Sequence, residues 1–437
     1  MLEFLYTKTP LSYFIQSLWR DEAFSYLLAK HSIVDIIKIT SRDFNPPLYY
    51  FILKIWMLIF GNSELAIRSL SFLCYGFLFY FFIELLIDVL KIKGKKLSLY
   101  ALLFFVNPLL NYYAFEGRMY MLFALISTAS YYFLMTKRSR LYFISLLLGL
   151  YTHYFMTIVL ATQVLFVLMS GWTKKEKIHS IKHATYSFLL FIPWIVYFLF
   201  QNKSIDSNFW ILKPGLRELL SIPFTLYTGY EYFLYFYQKF SLGFILFMWI
   251  LIGSSLVLMR DKLLKNDVVK SLFFWFTIPS FSVFIISLWK PLFLPRYLIF
   301  TGVGLIIYLI YVFEYSKYKI LSIVMLITLF MFSLHFNVIQ IKERRKADFK
   351  TLAAKIKPHL NSQTIIYVEN ELDFHTAQYY FNQDKVFIYN KLYQEVPAYV
   401  GKVLIPSDKM TYSPPAYPRR AVIINEKLEF RIEQSVP

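Results

Sequence analysis

Acidic and guanidinium side chains recur in short stretches between apolar runs: Asp21-Glu22, Asp43 just before Asn45-Pro46-Pro47, Glu116-Gly117-Arg118, and Pro295-Arg296-Tyr297. A carboxylate in a loop at a membrane interface, within reach of lipid and water, suits the removal of a proton. A guanidinium fork matches the oxygens of a phosphate. Each group also has a plainer use. Asp21 could cap a helix beginning at Glu22, whose own carboxylate suits the positive helix end. Asn45-Pro46-Pro47 is a ready-made helix start. Glu116 and Arg118 could pair with each other, and Arg296 could snorkel to the interface. Glu64 and Arg68, at the top of an apolar run, suit headgroup anchoring. His153, in Thr152-His153-Tyr154-Phe155, could be an acid, a ligand or a core residue. Carboxylates suit hard cations, so Asp21, Glu22 and Glu116 are compatible with a divalent metal, although no ligand spacing demands one.

The elements that must position these groups are membrane helices. Apolar side chains make up 58% of the 437 residues and fall in long runs, among them Leu65–Leu90, Phe240–Met259, Ser271–Leu288 and Ile320–Val338. Each approaches or exceeds the ~20 residues that cross a bilayer. The net charge of +19 is not that of a nucleic-acid groove, because the Lys and Arg residues sit in short loops between the runs. Lys91–Lys96, Lys137–Arg140, Lys174–Lys177, Arg260–Lys270 and Lys317–Lys319 read as five cytoplasmic loops. Two spans must join each neighbouring pair. The expected spans are 65–90, 97–114, 118–136, 141–153, 155–171, 184–200, 240–259, 271–288, 296–313 and 320–338, with both chain ends extracytoplasmic. Lys342, Arg344, Arg345 and Lys346, directly after the last span, run against that placement. Cys74 lies within a run and has no partner for a disulfide.

Three parts follow: an extracytoplasmic first loop over 1–62, a transmembrane domain over 63–340 and a soluble α/β domain over 341–437. In the first loop, Glu22–Ile39 reads as an amphipathic interfacial helix. Leu48–Phe60, stopped by Gly61-Asn62, reads as a second helix too short to span. In the tail, Asp348–Leu360 and Asp373–Phe381 read as helices. Thr364–Val368, Val386–Tyr389 and Val403–Ile405 read as strands.

Taken in order, Asp21-Glu22-Ala23, Asp43-Phe44-Asn45-Pro46-Pro47-Leu48-Tyr49-Tyr50, Phe60-Gly61-Asn62-Ser63-Glu64 and Arg68-Ser69-Leu70-Ser71 resemble the first extracytoplasmic loop of the GT-C glycosyltransferases. Glu116-Gly117-Arg118-Met119-Tyr120, Thr152-His153-Tyr154-Phe155 and Pro295-Arg296-Tyr297-Leu298 resemble later loops of the same superfamily. The nearest kin by motif are the protein O-mannosyltransferases and the lipid A aminoarabinose transferases. The resemblance implies a polytopic helical GT-C fold with a small C-terminal α/β domain, and a sugar donor carried on a polyprenyl phosphate. It implies Asp21 as catalytic base beside Glu22, and Glu116 as a second acidic catalytic or metal-binding residue. It places Arg118 and Arg296 at the donor phosphate and Asp43, Tyr120, His153 and Tyr297 in the substrate site. Family members carry a transmembrane helix before the Asp-Glu motif. Met1–Trp19, with Glu3, Lys8 and Pro10, is no credible span, so an upstream apolar segment of about twenty residues is expected.

The function expected is an inverting transfer of a sugar from a polyprenyl phosphate to an extracytoplasmic glycolipid, glycan or protein at the plasma membrane. A secondary transporter or lipid flippase is the rival class. Transporters usually show broken helices in two related halves with midplane charges; here charges gather at one face and no half-repeat is visible.

Overall fold

The computed structural model describes residues 7–201, 210–231 and 238–434. Residues 1–6 of the Met1–Trp19 stretch lie outside them. The chain is a polytopic helical membrane protein with a small α/β domain at its C-terminus. Among the described residues, four helices are long and apolar enough to cross a bilayer: Glu64–Val89, Lys174–Gln201, Asp267–Ser287 and Lys319–Glu343. Shorter apolar helices lie between them, including Tyr120–Met135, Ser139–Leu150, Met156–Met169 and Ile299–Tyr315.

Every expected span falls on helix, with two differences of form. The 97–114 segment is broken into Lys95–Phe105 and Pro108–Tyr113. Asn107 causes the break: its side chain accepts the Leu110 amide at 2.9 Å, Pro108 opens the next turn, and its amide group donates to the Tyr227 carbonyl. The basic loop before 184 is instead helix, because Lys174–Gln201 is one continuous element. Ile299–Tyr315 runs through the middle of the bundle, buried from Ile299 to Phe313. Many apolar residues elsewhere are exposed on one helix face, as lipid contact requires.

Over Glu22–Ile39 the first loop holds two helices where one was expected. Arg20–Lys30 ends at His31, and Ser32 turns out of helical geometry to cap Ile33–Thr40, its hydroxyl accepting the Asp35 amide. Leu48–Phe60 is helical as expected and stops at Gly61, whose φ of 85° favours glycine. Its Tyr49, Tyr50 and Leu53 are buried while Ile55, Leu58 and Ile59 are exposed, an apolar face suited to the membrane interface.

The tail forms a five-stranded sheet in the order β3-β2-β1-β4-β5, with β1 Thr364–Val368, β2 Val386–Tyr389, β3 Met410–Thr411, β4 Arg420–Ile424 and β5 Phe430–Gln434. All pairs are parallel except β4 with β5. The helices Phe349–Ile356 and Phe374–Tyr380 cover one face of it, with Phe349, Leu352, Phe374, Ile366 and Val422 in the shared core. Val403–Ile405 is not a strand: Lys402–Leu404 is a 3-10 turn following Gly401, and Ile405 is buried. β3, β4 and β5 complete the sheet beyond the sequence expectation.

The domain is bolted to the first loop. The Tyr380 hydroxyl accepts the Leu18 amide and donates to Glu64, the Tyr379 hydroxyl donates to the Asn62 carbonyl, and Arg20 pairs with Asp373 at 3.0 Å. Lys350 lies 3.7 Å from Glu64. Glu64 thus ties two parts of the chain together and is no headgroup anchor.

Candidate active site

The site begins with a buried clamp. Arg68 sits in the first long helix with no exposed surface, and its five N–H groups are all engaged. Its Nε and Nη2 hold the two Glu22 oxygens at 2.9 and 2.7 Å, and its remaining bonds go to the carbonyls of Phe14, Gln16 and Ser17. Glu22 also accepts the Gly117 amide at 2.8 Å, the Trp19 amide at 2.9 Å and the Lys346 ammonium at 2.8 Å. A side chain at Gly117 would bring a Cβ within 2.7 Å of Ile67, so glycine permits this close approach. Burial opposes a charge on Glu22, but Arg68 and Lys346 outweigh it and hold the carboxyl well below the usual range. Arg68 is therefore a tie-point for the loop; anchoring to headgroups is ruled out by its burial.

Glu22 also caps its helix. The helix begins at Arg20, Trp19 is the cap position, and Glu22 accepts the cap amide. Asp21 is not the cap. It lies in the first turn, about half exposed, on a cavity of about 310 Å³.

That cavity gathers most of the remaining charged candidates. Arg20, Asp21, Asp43, Arg118, Glu231 and Arg296 line it, with Tyr120 and Tyr297 beside them. Arg296 reaches Asp21 at 3.6 Å and lies over the Trp210 ring at 5.1 Å. Arg118 donates to the Asp21 carbonyl and the Ser25 hydroxyl, so Arg118 and Glu116 do not pair with each other. The Nε groups of both arginines are buried without a hydrogen-bond partner. Two desolvated guanidinium groups with unmet donors, beside a half-exposed carboxylate, leave room for an anion. Burial pushes the Asp43 carboxyl up to about 6, although Arg118 works against the shift.

The other candidates separate from this group. Glu116 is buried; burial raises its pKa, with Lys346 opposing, and it does not line the cavity. His153 does not line it either. The ring stacks on Phe123 at 4.7 Å and its Nδ1 accepts the Phe155 amide. It packs against Tyr297 and so backs the cavity wall. Among the described residues, no three His, Cys, Asp or Glu side chains converge as a metal site.

Three participants escape a reading by motif. Glu231 accepts from the Tyr113 hydroxyl at 3.0 Å and from Arg344 at 3.2 Å. Arg344 lies 3.5 Å over the Tyr112 ring, and Lys346 grips Glu22. Two of the four cations that run against the charge rule after the last span, Arg344 and Lys346, are thus consumed by internal pairs. A cation neutralised inside the protein carries no information about the membrane side. The only advance signal for Lys346 was its oddity in that position.

The chain is thus a polytopic helical membrane protein whose first loop, helical bundle and C-terminal domain meet around one charged cavity. In comparison with solved structures, the chain is similar to ArnT from Cupriavidus metallidurans in its apo state, with TM-score 0.61, 12% identity, and coverage of 94% of this chain and 91% of that one. It is similar also to the same protein bound to undecaprenyl phosphate, with TM-score 0.59, 11% identity, and coverage of 97% and 93%. No protein-family model matches the chain, and no curated protein matches it significantly.

Proposed function

We propose that this protein is a glycosyltransferase that moves a sugar from a polyprenyl-phosphate donor to an acceptor hydroxyl at the extracytoplasmic face of the plasma membrane. The observation that carries the reading is the pair of buried guanidinium groups with unmet Nε donors flanking the half-exposed Asp21. The fold shared with a protein solved bound to undecaprenyl phosphate supports it.

In the proposed reaction Asp21 accepts the proton of the acceptor hydroxyl as its oxygen bonds to the anomeric carbon. The bond from that carbon to the phosphate oxygen breaks, and the electron pair leaves with the polyprenyl phosphate. Arg118 and Arg296, both buried, stabilise the charge growing on the leaving phosphate. Attack opposite the leaving group inverts the anomeric centre. The acceptor is a glycolipid, a glycan or a protein. Glu22 belongs to the frame of this site, and a metal has no assigned step.

The test is to incubate membranes bearing the protein with a panel of radiolabelled polyprenyl-phosphate sugars and to follow label into the acceptor fraction. Transfer from at least one donor, dependent on the protein, is the expected result. Passage of an intact lipid or solute across the bilayer with no glycosidic bond made would favour the flippase or transporter reading instead.

A further inference from the structure

The cavity has two chemically different linings. Its charged lining comes from the first loop and the helical bundle: Arg20, Asp21, Asp43, Arg118, Glu231 and Arg296. The rest of the lining includes four residues of the C-terminal domain, Leu372, Tyr399, Val400 and Gly401, none of which is charged. A carrier phosphate has its partners on the first lining. The second offers apolar surface, a phenol and backbone, the mixture by which a site takes an uncharged, hydroxyl-bearing group.

This second wall is held in fixed register with Asp21. Gly401 has φ of 79°, and its carbonyl accepts from His375 Nε2 at 3.2 Å. A Cβ at Gly401 would lie 2.4 Å from Cδ2 of Phe24 and 2.9 Å from His375 Nε2. Phe24 sits one helical turn after Asp21, also lines the cavity, and packs edge-on against His375 at 5.7 Å. Burial pushes the His375 imidazole down to about 4, so it stays neutral and its Nε2 carries the proton that the Gly401 carbonyl accepts. On the other flank, Arg20, adjacent to Asp21, is paired with Asp373, adjacent to Leu372. The uncharged wall is therefore placed against the base by contacts on both sides.

We infer that the Ala398–Gly401 turn of the C-terminal domain walls the subsite for the sugar ring of the donor, and that Tyr399 sets which sugar is accepted. The inference rests on the glycosyltransferase reading above and deepens it. The domain is thus part of the donor site as well as a cap on the fold. Tyr399 is a specificity-determining residue; the bond-making groups remain those on the charged lining.

The experiment compares wild type, Tyr399→Phe and Tyr399→Ala with two donors that share one polyprenyl chain and differ in the sugar, reading kcat/KM for each. Affinity for sugar-free polyprenyl phosphate is measured alongside. The ratio of kcat/KM between the two sugars should change by about tenfold or more in Tyr399→Ala, as pocket contacts of this size allow. Tyr399→Phe should shift it less, and sugar-free polyprenyl phosphate should bind all three proteins alike. Gly401→Ala, which displaces the turn through Phe24, should move the ratio in the same direction. An unchanged sugar ratio in Tyr399→Ala, or a change confined to acceptor preference, overturns the inference while the transferase reading stands. Absence of transfer by wild type from every donor overturns both.

Discussion

Asp21 and Glu22 are neighbours of the same chemical type with opposite fates. Glu22 is 1% exposed and accepts five hydrogen bonds, from two cations and two backbone amides. Asp21 is about half exposed and has one ion pair at 3.6 Å. Successive residues on a helix point about 100° apart, so one step along the chain turns a carboxylate from the protein interior to the cavity. A charge fully engaged inside the protein holds a loop in place and has nothing left for a substrate. A charge held by one loose contact can exchange it for a proton. The clamp makes the loop rigid enough for the cavity carboxylate to be left underused.

The sharpest way to break this contrast is at Arg68. Arg68→Ala leaves Glu22 buried with only part of its compensation and frees three backbone carbonyls. Removing one partner of a buried pair costs about 3–5 kcal/mol. Thermal unfolding in detergent should show a large loss of stability, with activity lost because the loop is no longer held. A Tm near that of wild type would mean the clamp is not the frame described.

Asp21→Asn should do the reverse. The helix is capped through Trp19 and Glu22, so the substitution removes no cap. Transfer should fall on the order of 10²–10⁴-fold, the usual contribution of a general base. Tm should match wild type. Near-normal turnover would remove Asp21 from the chemistry.

Lys346→Met tests the weaker arm of the clamp. Glu22 keeps both Arg68 contacts, so the loss should be about 1.5–3 kcal/mol, the worth of one hydrogen bond to a charged group. Because Lys346 links the C-terminal segment to the loop, limited proteolysis should cut the variant faster between 341 and 350. A loss as large as that of Arg68→Ala would mean the arms are equal.

The smallest expected effect lies at Asp43. Its carboxyl titrates at about 6, above its ordinary 3.8, so it is mainly neutral below that pH and charged above it. Ionisation adds a negative charge beside Arg118, which opposes an anionic donor. Binding of a polyprenyl phosphodiester should weaken by roughly tenfold between pH 5 and 7, the effect of one unit charge about 10 Å away at an effective dielectric constant of about 20. Asp43→Asn should flatten the profile. Binding rather than turnover is the quantity to follow, since Asp21 must itself be ionised to act as base. A profile that is equally steep in Asp43→Asn assigns the titration elsewhere.

Local patterns in the sequence carried much of the architecture. Leu48–Phe60 is helical between the same residues, since Pro-Pro before it and Gly61 after it act locally. β1 and β2 stand at Thr364–Val368 and Val386–Tyr389, where β-branched and aromatic runs determine extended backbone. Val403–Ile405 shows the limit. The run has strand composition, but Gly401 and the contact with Phe24 fold it into a turn. β4 carries the same composition in Ala421–Ile424, and its place beside β1 is a long-range pairing that no local window contains.

By itself, the sequence determined that the chain is a helical membrane protein with a soluble tail, where its helices run, and which short stretches hold carboxylates and guanidinium groups. These follow from hydropathy and caps, which act over a few residues. Only the tertiary structure decided that Asp21 faces the cavity while Glu22 is clamped. The same holds for the burial of Arg68, the withdrawal of Arg344 and Lys346 into the protein, the entry of Glu231 into the site, and the wall supplied by Tyr399. Each depends on partners from 46 to more than 300 residues away, as with Arg68 on Glu22 and the Leu18 amide on Tyr380. Whether a charge is left free for chemistry is set by what packs around it, and that is a property of the folded chain.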